Sequence, residues 1–195
     1  MKKEENEEFY PQNQQEWRQW LQENHLVKQS IWVVYYKKRA GLLTLKHTEA
    51  VDEALCFGWI DSTCVSVGED KYIQFFCKRK PRSVWSKINK AKIESLLEKD
   101  LMAPAGLKSI EIAKQNGYWT MIDEVEELTI PEDLAAAFAT QPGAEDYFLS
   151  LSKSVKKSIL QWVVLARRPE TRQKRIAEIA DRAGMQLKPA HLLIN

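Results

Sequence analysis

One unbroken stretch, from Thr48 to Asn89, sets most of what this chain can become. It reads TEAVDEALCFGWIDS, then TCVSVGEDKYIQFFC, then KRKPRSVWSKIN. The first segment has helical spacing behind a capping Thr48, with Glu49, Asp52 and Glu53 placed early, where the helix dipole favours acids. Val51, Ala54, Leu55 and Gly58 form its apolar stripe, and Glu49, Asp52, Glu53 and Cys56 are expected on the opposite, more polar side. The second segment holds two β-rich runs, Ile60 to Val67 and Tyr72 to Cys77, around the turn residues Gly68-Glu69-Asp70-Lys71. A turn centred on Glu69 and Asp70 sets Val67 opposite Tyr72, Asp61 opposite Lys78 and Cys64 opposite Phe75. Cys64 and Cys77 are then diagonal neighbours, which argues against a disulfide. The third segment is a basic loop leading to a helix.

A helix, a hairpin and a further strand in one half, followed by helices alone, predict an α+β fold. Asn13 and Glu16 make a capping-box pattern, and Trp17, Trp20 and Leu21 recur behind it, so a helix is expected from about Gln14 to Asn24. Ile31 to Tyr36, IWVVYY, reads as a buried strand. Ser83 is the expected N-cap of a helix running to about Lys99, with Ser86, Asn89, Ile93, Leu96 and Leu97 on one side. From Pro104 onward the pattern is helical: Leu107 to Asn116, Pro131 to Ala139, Ala144 to Leu151, Val155 to Ala166 and Pro169 to Ala183. The expected organisation is a disordered tail over residues 1–12, an α+β domain over 13–103 and a helical module over 104–195. With 195 residues, 44% of them hydrophobic, the chain can bury one good core or two small ones.

Charge is distributed unevenly behind a formal net of +2. Lys78 to Ile93 has seven basic residues and no acid, Lys153 to Arg175 has eight against Glu170, and Asp123 to Asp133 has six acids and no base. Such runs attract anions, nucleic acid or an acidic protein, or they neutralise one another within the fold. Arg172 shares a stripe with Ile176, Ile179 and Ala183, so its guanidinium is directed inward and needs a carboxylate.

Most common chemistries are missing their signatures. There is no Gly-rich phosphate loop, no GxSxG and no HExxH. His25, His47 and His191 lie in separate regions without ligand spacing, so neither a metal site of the zinc type nor a cofactor is expected. Cys56 follows Asp52 and Glu53, whose charges raise a thiol's pKa, and reads as packing instead of a nucleophile. Three cysteines in a chain of this size fit free thiols in a reducing compartment. No run of about 18 apolar residues occurs and no apolar stretch follows the N-terminal lysines, so neither a membrane span nor a secretory signal is expected, and the cytoplasm is the expected location.

The motifs GWIDS, RKPRSVWSKIN and PETRQKR, in that order, give the chain its resemblance to the YdeI/OmpD-associated (OmdA) family, often labelled bacteriocin-protection proteins. The resemblance runs from Trp17 to about Ile179, and Ile130 to Ile179 looks like the family's defining module. It implies an α+β N-terminal region, a helical C-terminal module and a role in tolerance to antimicrobial peptides. It carries no catalytic residue across. The periplasmic setting implied by the family label stands against the lack of an export signal. Related proteins carry YdhG-like domains discussed as frataxin-like, which makes iron handling through Asp123 to Asp133 or the Glu49, Asp52, Glu53 face a third reading.

The candidate site is Trp59, Asp61, Arg79, Lys80, Arg82, Trp85, Ser86 and Asn89. The hairpin returns the chain beside the point where it left, so GWIDS and KRKPRS become neighbours around the start of a helix. Aromatic walls, one carboxylate and several cations suit a small anionic or zwitterionic ligand. The plainer alternative is an ion pair between Asp61 and one of the cations that ties hairpin to helix, with the tryptophans as core. For Ser86 and Asn89 it is simple backbone capping. An enzyme using Asp61 as acid or base is the rival function.

Overall fold

A computed structural model describes residues 7–193 of the chain. The fold is α+β, and it divides into two compact units, residues 1–119 and 120–195. The stretch 104–119 therefore lies with the first unit.

The first unit is built on a four-stranded sheet: β1 (Glu8–Phe9), β2 (Ser30–Tyr36), β3 (Trp59–Val67) and β4 (Lys71–Lys78), in spatial order β1-β2-β4-β3. β1 runs parallel to β2, and the other pairs are antiparallel. Side chains alternate across the sheet, so Ile31, Val33, Tyr35, Trp59 and Phe76 enter the core while Trp32, Ile73 and Phe75 point the other way. Helix α1 (Gln14–Asn24) starts where Asn13 Oδ1 accepts the Glu16 N–H at 3.0 Å, and it buries Trp17 and Leu21. Trp20 stacks on Trp17 and is only partly buried. Of the expected tail, residues 7–12 are ordered, because Phe9 packs on both tryptophans and Pro11 is buried; residues 1–6 lie outside the described residues.

Helix α2 (His47–Cys56) begins one residue before the expected Thr48, and Glu49 reaches back to accept from Lys46, from its backbone N–H at 3.3 Å and from Nζ at 2.9 Å. Its expected polar side is corrected too. Glu53 is 3% exposed and Cys56 is fully buried, because α1 packs over that side. Arg18 Nη1 donates to Glu53 Oε2 at 2.6 Å, and Gln14 Nε2 to Oε1 at 2.7 Å. A buried carboxylate with two donors is satisfied where a bare one is not.

The hairpin forms with a different register. Val67 pairs with Lys71 across a shorter turn, Cys64 with Gln74 and Asp61 with Phe76, and a bulge separates Asp61 from Cys64. Gly68 adopts φ +70°, a left-handed conformation that lets the turn close one residue early. Each of the two irregularities moves the expected pairing by one, so Asp61 faces Phe76 instead of Lys78. Cys56, Cys64 and Cys77 are all free thiols.

Helix α3 (Lys87–Glu98) is capped by Ser86 and not by Ser83; helix α4 (Pro104–Gln115) follows. α4 lies close against the end of α2, where Ala103 N–H donates to Cys56 O at 3.0 Å. Gly106 makes that approach feasible, since a methyl there would run into the Cys56 carbonyl.

The second unit comprises α5 (Asp123–Glu126), α6 (Glu132–Ala139), α7 (Ala144–Ser150), α8 (Lys153–Val164) and α9 (Pro169–Gly184). Leu134, Phe138, Phe148, Leu160, Val163 and Ile179 are buried in it. The carboxylate Arg172 needs is Asp133, held by two donors, Nε at 2.6 Å and Nη2 at 2.9 Å. Lys157 pairs with Glu126. The acidic and basic runs of this unit thus neutralise each other in part, and Arg172 holds Asp133's carboxyl below the ordinary range.

Candidate functional site

β4 ends at Lys78, and residues 79–86 run as a loop before α3. Arg79 is fixed at the loop's start by its backbone N–H, which donates to Gly58 O at 2.9 Å. A tight turn follows, closed by Ser83 N–H on Lys80 O at 2.9 Å. The Arg79 guanidinium lies over Trp85 with its carbon 3.7 Å from the ring centroid, and Nη1 donates to Val84 O at 2.9 Å. Trp85 is itself buried and packs on Trp119.

The other edge of this guanidinium is unsatisfied. Nε and Nη2 are sealed from solvent, and among the described residues nothing accepts their protons. Burial pulls the Arg79 pKa down to about 10, against the opposing charge of Asp61. The group is still a cation at neutral pH. A buried donor left unpaired costs about 1–3 kcal/mol, so this arrangement calls for a reason.

Arg79 lines a cleft of about 380 Å³. The wall opposite the loop is one face of α4, where Ala105, Lys108, Ser109 and Ile112 recur at helical spacing; Phe57, Gly58 and Trp59 supply another side. Lys78, Lys80 and His25 complete the polar lining, and among the described residues no acid lines the cleft. Lys78 Nζ is engaged with Leu26 O at 2.8 Å. Cationic groups above an apolar and aromatic floor attract an oxyanion that carries an apolar body.

Of the residues singled out from sequence, Trp59, Arg79 and Lys80 meet in this cleft, and Trp85 lies beneath Arg79. Asp61 does not line it. Its carboxylate accepts instead from His47 Nε2 at 3.0 Å and Gln74 Nε2 at 3.1 Å, the latter brought opposite by the register and bulge of the hairpin. Arg82 stands exposed on the loop. Ser86 Oγ accepts the Asn89 N–H at 3.2 Å, the plain cap of α3.

Sequence reasoning missed Lys108 and Ser109, which come from a helix about thirty residues further on, and His47, whose ring crosses from α2 to β3. The small residues of α4, Ala105 and Gly106, were the available signal for close approach.

Cys56 is inert, its thiol pushed up to about 11 by burial and by Glu53. The Glu49, Asp52 and Glu53 carboxylates expected for iron are each engaged, with Lys46, Lys92 and Arg18. Among the described residues no group of three or more His, Cys, Asp and Glu is arranged to hold a metal ion, and no helix is long and apolar enough to cross a membrane.

These observations define an α+β protein with a basic, aromatic-floored cleft, continued in the same chain by a helical unit. Residues 9–109, just over half of the chain, match the family model described as Domain of unknown function (DUF8412), and the chain belongs to that family. Residues 127–184 match the family model described as Bacteriocin-protection, YdeI or OmpD-Associated, so the YdeI/OmpD-associated resemblance holds over the helical module. No curated protein and no solved structure matches the chain.

Proposed function

We propose that the protein is a cytoplasmic binding module whose Arg79 cleft takes a small anionic or zwitterionic ligand through a carboxylate or phosphate group. The observation that carries this reading is the unpartnered Nε and Nη2 edge of Arg79. Contact with Trp85 and the bond to Val84 O hold the guanidinium in place, so the two unpartnered N–H groups form a preset fork for two oxygens. Lys80 and Lys108 add charge to the lining of the same cleft. Antimicrobial peptides are rich in Lys and Arg, so a cationic cleft does not suit them directly. A protective role of the kind the helical module's family name points to would be exercised through the bound anion.

A thermal-shift screen of phosphate, pyrophosphate, citrate and amino acids at about 20 mM salt, where surface charge is little screened, tests this. A ligand at about 100 times its Kd adds about 2.7 kcal/mol, a rise of several degrees. If none of these probes raises the melting temperature, the reading fails.

The rival enzyme reading draws support from one contact, the His47–Asp61 pair beside a β-bulge. Asp61 would orient His47 as a base. A His47→Gln variant that retains anion binding but loses a turnover found by substrate screening would favour it.

A further inference from the structure

The strap Lys78–Pro81 has a cleft on each side. The second, of about 500 Å³, opens beside the sheet face turned away from the helices and is lined by Gln29, Ser30, Phe75 and Cys77 together with the strap. Arg79 and Lys80 therefore border both clefts. Phe75 sits on β4 directly opposite Trp32 on β2, the two central strands, and their rings meet at 5.0 Å and 61°. Both rings are only half-buried and lie outside the core that the helices close over. Ile73, on the same face, is half-buried as well.

Charge is concentrated at one end of this face. Lys28 pairs with Glu7 beside the strap, where Lys78 N–H donates to Gln29 O, and away from the strap Lys71 pairs with Glu8 and Arg39 with Asp70. At the strap, Arg79, Lys80 and Arg82 stand close in sequence, and among the described residues no acid lines either cleft. Phe75 and Arg79 are four residues apart, a span of about 13 Å at the rise of an extended chain. Aromatic rings on the two central strands, with cations at the strand end, let unpaired bases stack while neighbouring phosphates meet the cations.

Resting on the anion-cleft reading, we infer that this surface binds single-stranded nucleic acid, with bases on Trp32 and Phe75 and the phosphate backbone on Arg79 and Lys80. A duplex hides its base faces and gains only the phosphate contacts. A purely polyanionic partner gains no stacking.

Fluorescence anisotropy of a labelled oligothymidylate of about 12 nucleotides, within the ~4–16 that such platforms cover, tests this on the full chain. Tight binding that weakens with salt is expected, with the matching duplex weaker. Trp32→Leu and Phe75→Leu, which keep the face apolar, are each expected to lower oligonucleotide affinity about tenfold while leaving heparin affinity unchanged. Ultraviolet cross-linking of the wild-type complex, mapped by mass spectrometry, is expected at the peptides carrying Trp32 or Phe75, and it does not depend on any variant folding. Oligonucleotide binding indifferent to both substitutions, or cross-links confined to other peptides, overturns the inference. If pyrophosphate still stabilises the protein in that case, the anion cleft stands alone, and if it does not, both readings fall.

Discussion

Replacing Arg79 with methionine should make the protein more stable and less able to bind. Burial has pulled the Arg79 pKa down to about 10. At about 1.4 kcal/mol per tenfold, holding it charged costs about 3 kcal/mol. Methionine keeps an unbranched apolar stem over Trp85 and removes the two unpaired N–H groups. The losses are the bond to Val84 O, about 1 kcal/mol, and the guanidinium–indole attraction, about 0.5–1 kcal/mol. The net expectation is a gain of about 1–2 kcal/mol, or roughly 5 °C for a unit of this size. Six of the seven tryptophans belong to the first unit and only Trp162 to the second. Tryptophan fluorescence during urea and thermal unfolding therefore reports mainly on the unit that carries the change. The same variant should lose stabilisation by pyrophosphate. A lowered melting temperature together with an unaltered pyrophosphate response would refute the reasoning, because Arg79 would then be a structural contact whose partner was lost.

Arg18→Met should cost about 3–5 kcal/mol by stranding the buried Glu53, whereas Glu53→Gln should cost only about 1–2 kcal/mol, since Arg18 is 28% exposed and keeps Leu101 O; equal losses in urea denaturation would contradict this. Gly106→Ala should destabilise the first unit by about 3 kcal/mol through its clash with the Cys56 carbonyl, measured in the same way. With a chromogenic disulfide reagent at pH 8, exposed Cys64 should react in a burst and buried Cys56 only on unfolding, so two fast thiols in the native protein would be unexpected. Asp133's carboxyl is depressed by Arg172, so its contribution is present above its unfolded value and lost as pH falls through the lower folded one. Because both partners are partly exposed, the acid loss should be less than about 1 kcal/mol, and Asp133→Asn should abolish that part of the pH dependence in a titrated melt.

The α+β class, the hairpin, the buried strand IWVVYY and the helices of the second half were legible in the chain because each rests on local periodicity, capping and turn chemistry. The YdeI/OmpD-associated module was legible in PETRQKR and the helix before it. Arg79, Lys80 and Trp59 were also legible as neighbours, because a hairpin must return its chain to the place it left. Asp61 was different. Its facing partner depended on a turn one residue shorter than expected and on a bulge, and each such slip moves a side chain to a new neighbour. Tertiary packing alone brought Lys108 and Ser109 to the cleft, carried His47 to Asp61 and turned Glu53 inward under α1. Among the described residues it also left one edge of Arg79 without a partner. Local pattern fixes which face of an element is apolar, but only the docking of distant elements fixes which polar groups meet and which are left unpaired.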